Sequence, residues 1–249
     1  MTQATGSKAP AIDHSVQILD LLTASAYPLT LSEICEATGI SPASGHRIIN
    51  AMLSHQLIAR DPARKKAYCI GSKIFQISSS IYSKQSLIAF FHPIAEILKN
   101  EIHKTIFLSI PVGDQAVVVS KVESSLSQAW NIFTGQTIPL QQSAAGKAIL
   151  AMQSGHFRDN LTHNLQCSHT ELTELQDDLQ RAQRLGYAVS HGETDSEISC
   201  IAAPVLNLRN EPVAAISAAI SGAHLNPQDA RDYSKKLIQA ARQLSARIV

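Results

Sequence analysis

The chain has no surplus of charge, no long apolar run and no closely spaced cysteines, and each absence narrows what it can be. Lys and Arg number 21 against 20 Asp and Glu, a net charge of +1 over 249 residues. A role with a polyanionic partner must therefore rest on a local cluster of charge and not on the bulk balance. No apolar run reaches the roughly 18 residues that a membrane-spanning helix needs, so no membrane partner is expected. The opening stretch MTQATGSKAPAIDH contains no apolar h-region. A secretory signal is not expected there, and residues 1–10 read as a polar, disordered arm. Cys35, Cys69, Cys167 and Cys200 lie far apart and form no C-x-x-C. Free thiols in a reduced, cytoplasmic protein are the expectation. No repeat or low-complexity tract is evident, and 45% hydrophobic residues suit one large domain or two ordinary ones.

The informative charge lies around the stretch LSEICEATGISPASGHRIINAML, from Leu31 to Leu53. Leu31, Ile34 and Cys35 share one face of a short helix, with Thr30 or Ser32 as its cap and Glu33 completing a capping box with Thr30. Gly39 stops that helix, and Ser41-Pro42 starts another, serine as N-cap and proline in the first turn. In the second helix Gly45, Ile48, Ile49 and Met52 have the spacing of a buried stripe. Ala43, Ser44, Arg47, Asn50 and Ser54 occupy the opposite face, with His46 at its edge. Two short helices, a glycine turn and a polar second helix describe a helix-turn-helix, whose second helix enters the DNA major groove. Arg60 to Ile70 then reads as two short strands around a basic tip. Between Arg47 and Lys66, the cations Arg47, Arg60, Arg64, Lys65 and Lys66 stand against the single acid Asp61. A helix-turn-helix followed by a basic hairpin is a winged helix. Ser41, Ala43, Ser44, His46, Arg47 and Asn50 are the expected reading face, and Arg64, Lys65 and Lys66 the expected phosphate contacts on double-stranded DNA.

Elsewhere the pattern predicts an earlier helix whose stripe is Ile12, Val16, Leu19 and Leu22, with Ile18 beside it. After the wing, a linker helix starts at Gly71-Ser72 with the narrow stripe Ile74, Ile77 and Ile81. Composition shifts near Ser83, giving expected segments of 1–70 for the winged helix, 71–85 for the linker and 86–249 for a second domain. That domain opens with a helix from Ser86 to Asn100, in which Pro93 predicts a kink or split. Strands are expected at Thr105–Pro111, Ala116–Val122, Gln128–Phe133, Tyr187–Ser190, Ile198–Leu206 and Val213–Ile220. Helices are expected at Ser143–Gln153, Leu161–Leu185 and Asn226–Ile248. The order of elements indicates an α+β domain with an antiparallel-rich sheet.

Three groups of residues invite chemistry. Ser143-Ala144-Ala145-Gly146-Lys147 is a helix start with exposed amides, suited to a carboxylate or phosphate. It is not a P-loop, because Gln141 and Ala148 replace the required glycine and Ser/Thr. Cys200, with His191 and Asp195 nearby, has the makings of a nucleophile, although a lone cysteine in an apolar strand is usually a small buried hydrophobe. His156, His163, Cys167 and His169 form the densest set of potential metal ligands, and surface histidines are the preferred account. The alternatives to a DNA-binding sensor are a small-molecule enzyme or metal-binding sensor carrying an interaction module, or a purely architectural DNA-binding protein.

From about Ile12 onward the chain resembles the IclR family of bacterial transcriptional regulators, through LTLSEICEATGISPASGHRIINAML, SAAGKAILA, LGYAVSHGE, CIAAPVLN and EPVAAIS in that order. The resemblance implies a winged-helix DNA-binding domain, a linker helix and a GAF-like domain that binds a small organic effector. It further implies homodimers or homotetramers on palindromic operators in the bacterial cytoplasm, with no cofactor and no catalysis. Carried onto this chain, it assigns effector contacts to Ala144, Ala145, Gly146, Cys200 and Ser217, with Trp130 in the strand region that closes the pocket. Ser190 stands where the family usually has an acid, and Ala219 where it tends to have a second serine. Ala219 favours an acid with an apolar portion. Gly45 replaces a commonly larger residue, at about 1 kcal/mol relative to alanine in mid-helix.

Overall fold

Side-chain caps fix where the two helices of the helix-turn-helix begin. A computed structural model describes residues 9–82, 87–125, 132–158, 168–193, 196–222 and 224–248, the side chains of 78–82 excepted. The chain forms two compact units, residues 1–84 and 85–249. α1 (Pro10–Ala24) starts on proline. α2 (Leu31–Thr38) starts on a capping box, in which the Thr30 amide donates to the Glu33 carboxylate at 2.7 Å and the Glu33 amide to Thr30 Oγ1 at 3.4 Å. Gly39 ends it at φ 71°, a left-handed conformation that glycine adopts without strain. Ser41 caps α3 (Pro42–Ser54) with Pro42 in the first turn.

Ile18, Leu22, Ile34, Ile48, Ile49 and Met52 join the three helices in one core. The inward face of α1 matches the expected stripe only in part: Leu22 is buried, with Ile18 beside it, but Ile12 and Val16 are 65% and 50% exposed. The core reaches only the second half of α1, so periodicity in its first half has nothing to pack on. The wing is β2 (Ile58–Arg60) paired antiparallel with β3 (Ala67–Ile70), and β1 (Leu29–Thr30) adds an unexpected third strand in the order β1-β3-β2. α4 (Ser72–Tyr82) follows, with Ile74 half-buried and Ile77 exposed, while the Ile81 side chain lies outside the described residues.

In the second unit, α5 (Leu87–Ile102) runs through Pro93 as one helix and is not split. Pro93 and Ala89 both face solvent. The carbonyl that loses its intrahelical donor is therefore open to water. β4 (Thr105–Val112), β5 (Gln115–Val122), β6 (Thr137–Pro139), β7 (Ala188–His191), β8 (Ile198–Leu206) and β9 (Pro212–Ser221) form one antiparallel sheet in the order β6-β5-β4-β9-β8-β7. The expected strand Gln128–Phe133 lies mostly outside the described residues, and Ile132 and Phe133 are not strand. The third neighbour in that part of the sheet is β6, an edge strand ending in proline, where no ladder donor is missed.

Period-two alternation sends the strands' side chains to two cores. Ile106, Leu108, Ile201, Ala203, Val205, Ala214 and Ile216 pack with α5 and with α8 (Pro227–Ser245), through Phe91, Leu98, Leu237 and Leu244. On the other face Ala116, Ala188, Ala202 and Ala215 meet α6 (Ala144–Met152) and α7 (His169–Leu185). Those four alanines let α6 lie close to the sheet. The expected helix from Leu161 is described only from His169, after a second capping box of Ser168 with Glu171. The fold class is the α+β arrangement expected. No described helix is long and apolar enough to cross a membrane.

Candidate functional site

α3 turns a polar face outward because its apolar stripe is used up in the core. Ser41, Ala43, Ser44, His46, Arg47 and Asn50 are all exposed, while Gly45, Ile48, Ile49 and Met52 are buried. Asn50 Nδ2 lies 3.2 Å from His46 Nδ1, one helical turn apart, so these two side chains hold each other in place. Ser41 Oγ is occupied by the cap, accepting the Ser44 amide at 3.4 Å, and lies 3.1 Å from Ser44 Oγ. Gly45 has a spatial reason: a Cβ there would stand 2.6 Å from Cys35 Sγ. The glycine lets α3 cross α2 over a thiol.

Lys65 and Lys66 are exposed at the wing tip. Arg64, expected to contact phosphate with them, is instead turned inward. Its guanidinium donates to Glu33 Oε1 at 2.7 Å and to the Pro28 carbonyl, and lies 5.6 Å from the centre of the Tyr27 ring. Three elements converge on one planar group, a use for which the fork of arginine donors is suited. Sequence reasoning missed this pairing because Glu33 is 31 residues away.

The Arg64 guanidinium, and after it the Thr30 amide and hydroxyl, hold the Glu33 carboxyl down at about 2, from an ordinary 4.5. A folded pKa below the unfolded one adds stability above the unfolded value and loses it as protons bind the folded state. The contribution should thus be present above about pH 4.5 and fade between there and about pH 2. Solvent screens the pair, since both side chains keep more than a third of their surface in water. Thermal melts of wild type and Glu33→Gln across that acid range provide the check. The expected result is a shallower fall in Tm for Glu33→Gln, and parallel curves would mean that the pair adds nothing.

The second constellation is a cavity of about 280 Å³ between the sheet and the start of α6. Phe107, Val118, Ile132, Phe133, Ile138 and Ile198 supply its apolar walls. Its polar lining is Ser109, Gln136, Ser143, Ser190 and Cys200, with Ala144 and Ala145 at the helix start, and among the described residues no lysine, arginine or histidine borders it. Ser143 Oγ accepts the Gly146 amide at 3.0 Å and the Ser143 carbonyl accepts the Lys147 amide at 2.8 Å. The amides of Ala144 and Ala145 are the first-turn donors left over, as at any helix N-terminus.

Of the residues assigned to the effector, Ala144, Ala145, Ser190 and Cys200 line this cavity. Gly146, Ser217 and Ala219 do not. Gly146 backs onto the short 3-10 turn Leu140–Gln142, and Ser217 and Ala219 are fully buried in the sheet beneath. Trp130 lies outside the described residues. Ser109 and Phe107 were missed, and the available signal was a serine amid the apolar run TIFLSIPV.

Lys147 was also missed as a structural residue. It is 4% exposed, and its Nζ reaches Asp178 at 2.7 Å and Glu193 at 2.6 Å. A lone cation in the apolar helix AAGKAILAM must find such partners. The arrangement of a thiol nucleophile is not present as imagined. His191 pairs with Ser199 and Cys200 with Ser190, so alternation along the strands sends the two side chains to opposite faces. Asp195, His163 and Cys167 lie outside the described residues, and His169 opens α7.

Comparison with known proteins agrees with both halves. Residues 11–62 match the IclR helix-turn-helix domain, and residues 79–246 match the bacterial transcriptional regulator IclR C-terminal family. The chain belongs to the IclR family. This IclR-family chain is 28% identical over 246 residues to the uncharacterized HTH-type transcriptional regulator RhmR of Escherichia coli strain K12, a match covering 96% of this chain and 93% of that protein. Its fold is similar to that of IclR from Thermotoga maritima, with a TM-score of 0.75 at 21% identity over 96% of this chain and 98% of the other. It is likewise similar to an IclR homolog of Microbacterium hydrocarbonoxydans complexed with 4-hydroxybenzoate, with a TM-score of 0.76 at 16% identity over 95% and 98% of the two chains. This IclR-family protein is accordingly a transcriptional regulator with a helix-turn-helix DNA-binding domain and a C-terminal effector domain.

Proposed function

We propose that this regulator binds a palindromic operator as a homodimer or homotetramer in the cytoplasm, and that a small organic acid in the C-terminal cavity shifts its affinity for that operator. It acts as a sensor and not as an enzyme. The observation that carries the effector half is the cavity at the start of α6, where the Ala144 and Ala145 amides offer partial positive charge within apolar walls. A similar fold carrying 4-hydroxybenzoate, itself an organic acid, supports the same class of ligand. The acid can alter operator affinity only if it prefers one arrangement of the paired DNA-binding domains over another.

Ala145→Leu tests this directly, since Ala145 is 4% exposed and borders the cavity. Thermal-shift screening of carboxylic acids should find at least one that stabilises the native protein. Ala145→Leu should weaken that acid at least about tenfold, equivalent to 1.4 kcal/mol, while operator affinity without acid stays the same in gel shift. Equal stabilisation of both proteins would put the effector elsewhere.

A further inference from the structure

Among the described residues, three buried side-chain polar atoms have no hydrogen-bond partner: Ser109 Oγ, Ser217 Oγ and Gln141 Oε1. Such atoms are uncommon in native proteins, and each forfeits the solvation it had in water. All three belong to the ground around α6. Gln141 lies in the turn leading into it, and Ser109 and Ser217 lie on the sheet face beneath it. In the β4–β9 ladder Ser217 stands opposite Phe107 and Ser109 opposite Ala215, so both hydroxyls share the face that bears the cavity-lining Phe107. Only Ser109 borders the cavity itself, and it is 1% exposed. Beside it the pairing of β4 with β5 slips: Leu108 faces Ser120 and Ser109 faces Val118, so the extra residue, Val119, is on β5. Bulges recur beside binding sites.

Resting on the effector reading above, we infer the chemical class of the ligand: a monocarboxylate with a compact apolar body and one further hydroxyl or carbonyl group that bonds Ser109. The single carboxylate follows from the lining. With no cationic side chain among the described residues on the cavity, the counter-charge they supply is the amides at one helix start, enough for one carboxylate and too little for two or for a phosphate. The apolar body follows from the walls, where Phe107, Ile132, Phe133, Ile138 and Ile198 would leave a polar chain without partners. The further polar group follows from Ser109, whose hydroxyl can donate or accept and has no partner among the described residues. A site built to bond such a group discriminates strongly against the analogue lacking it.

The test uses the full-length protein and matched pairs of acids, followed by calorimetry and thermal shift. The pairs are the hydroxybenzoates against benzoate, 3-hydroxy-3-methylbutanoate against 3-methylbutanoate, and 4-methyl-2-oxopentanoate against 4-methylpentanoate, with succinate and phthalate as dicarboxylates. In wild type at least one oxygenated acid should bind about tenfold or more tightly than its partner. Ser109→Ala should abolish that preference while still binding the unsubstituted acid, and both dicarboxylates should bind more weakly than any monocarboxylate that binds. Three results overturn the inference: a preference that survives Ser109→Ala, tighter binding of a dicarboxylate, or no binding by any oxygenated acid in the set. Ala145→Leu separates the two levels. Acids that bind without regard to the extra oxygen, yet are lost in Ala145→Leu, remove this inference and leave the effector site standing. Binding indifferent to Ala145→Leu removes both.

Discussion

Gly146→Ala should destabilise the effector domain by on the order of 1–3 kcal/mol, or more. Helix propensity alone predicts the opposite sign, since alanine in mid-helix is favoured over glycine by about 1 kcal/mol. Geometry decides between them. A Cβ at position 146 would stand 2.0 Å from the Leu140 carbonyl oxygen and 2.4 Å from its Cα. These are backbone atoms and cannot rotate aside as a side-chain tip would. α6 and the turn at Leu140–Gln142 would have to part, and Leu140, Ala148 and Ile149 belong to the same buried cluster. Urea unfolding should give a lower midpoint at unchanged slope. The first turn of α6 would move with the helix, so stabilisation by an organic acid should disappear as well. A midpoint equal to or above that of wild type would mean that the turn yields without resistance.

The second large effect is expected at the wing. Replacing Lys65 and Lys66 together by alanine should weaken operator and random DNA about equally, and flatten the dependence of log K on log salt by roughly two units. Arg47→Ala should act differently, removing on the order of 1–3 kcal/mol of discrimination at one base pair if its guanidinium forks onto a guanine. Arg64 belongs with neither, because Glu33, Pro28 and Tyr27 already occupy it. Arg64→Ala and Glu33→Gln should therefore resemble one another in DNA binding, although only one of them removes a cation. Gel shifts at two salt concentrations separate the cases. A full unit of slope lost in Arg64→Ala but none in Glu33→Gln would return Arg64 to the phosphate contacts.

What could be read from the residues was local. Thr30 with Glu33, Gly39, and Ser41 with Pro42 act within one turn of where they stand, so the helix-turn-helix was legible to its boundaries. Long alternating or apolar strands were legible too, as at Ile198–Leu206. Elements of two or three residues, Leu29–Thr30 and Thr137–Pro139, are shorter than any period and gave no signal. Pairings over long sequence separations were equally silent. Arg64 read as a free cation and Lys147 as a failed P-loop residue, because their acids lie 31 residues away, or 46 for Glu193. Gly45 was visible as an oddity, but its cause, the Cys35 thiol against which α3 rests, is a packing fact. At the cavity the helix start was legible from its small residues. The cavity's walls were not, since they come from strands brought together only by the sheet order.

The Arg64 junction has a bearing on how a DNA head of this kind meets its site. A wing hinged freely on the helices would have to be frozen when it lands on phosphate, and that lost freedom would be subtracted from affinity. Here the loss is taken during folding, because the guanidinium already joins the hairpin to the start of α2 and to the segment before it. The distance between the α3 reading face and the two wing-tip lysines is thus set before DNA arrives. The DNA head then behaves as a caliper of fixed gauge. Variation among DNA sites can be met by where the head stands along the duplex, but not by how far it opens.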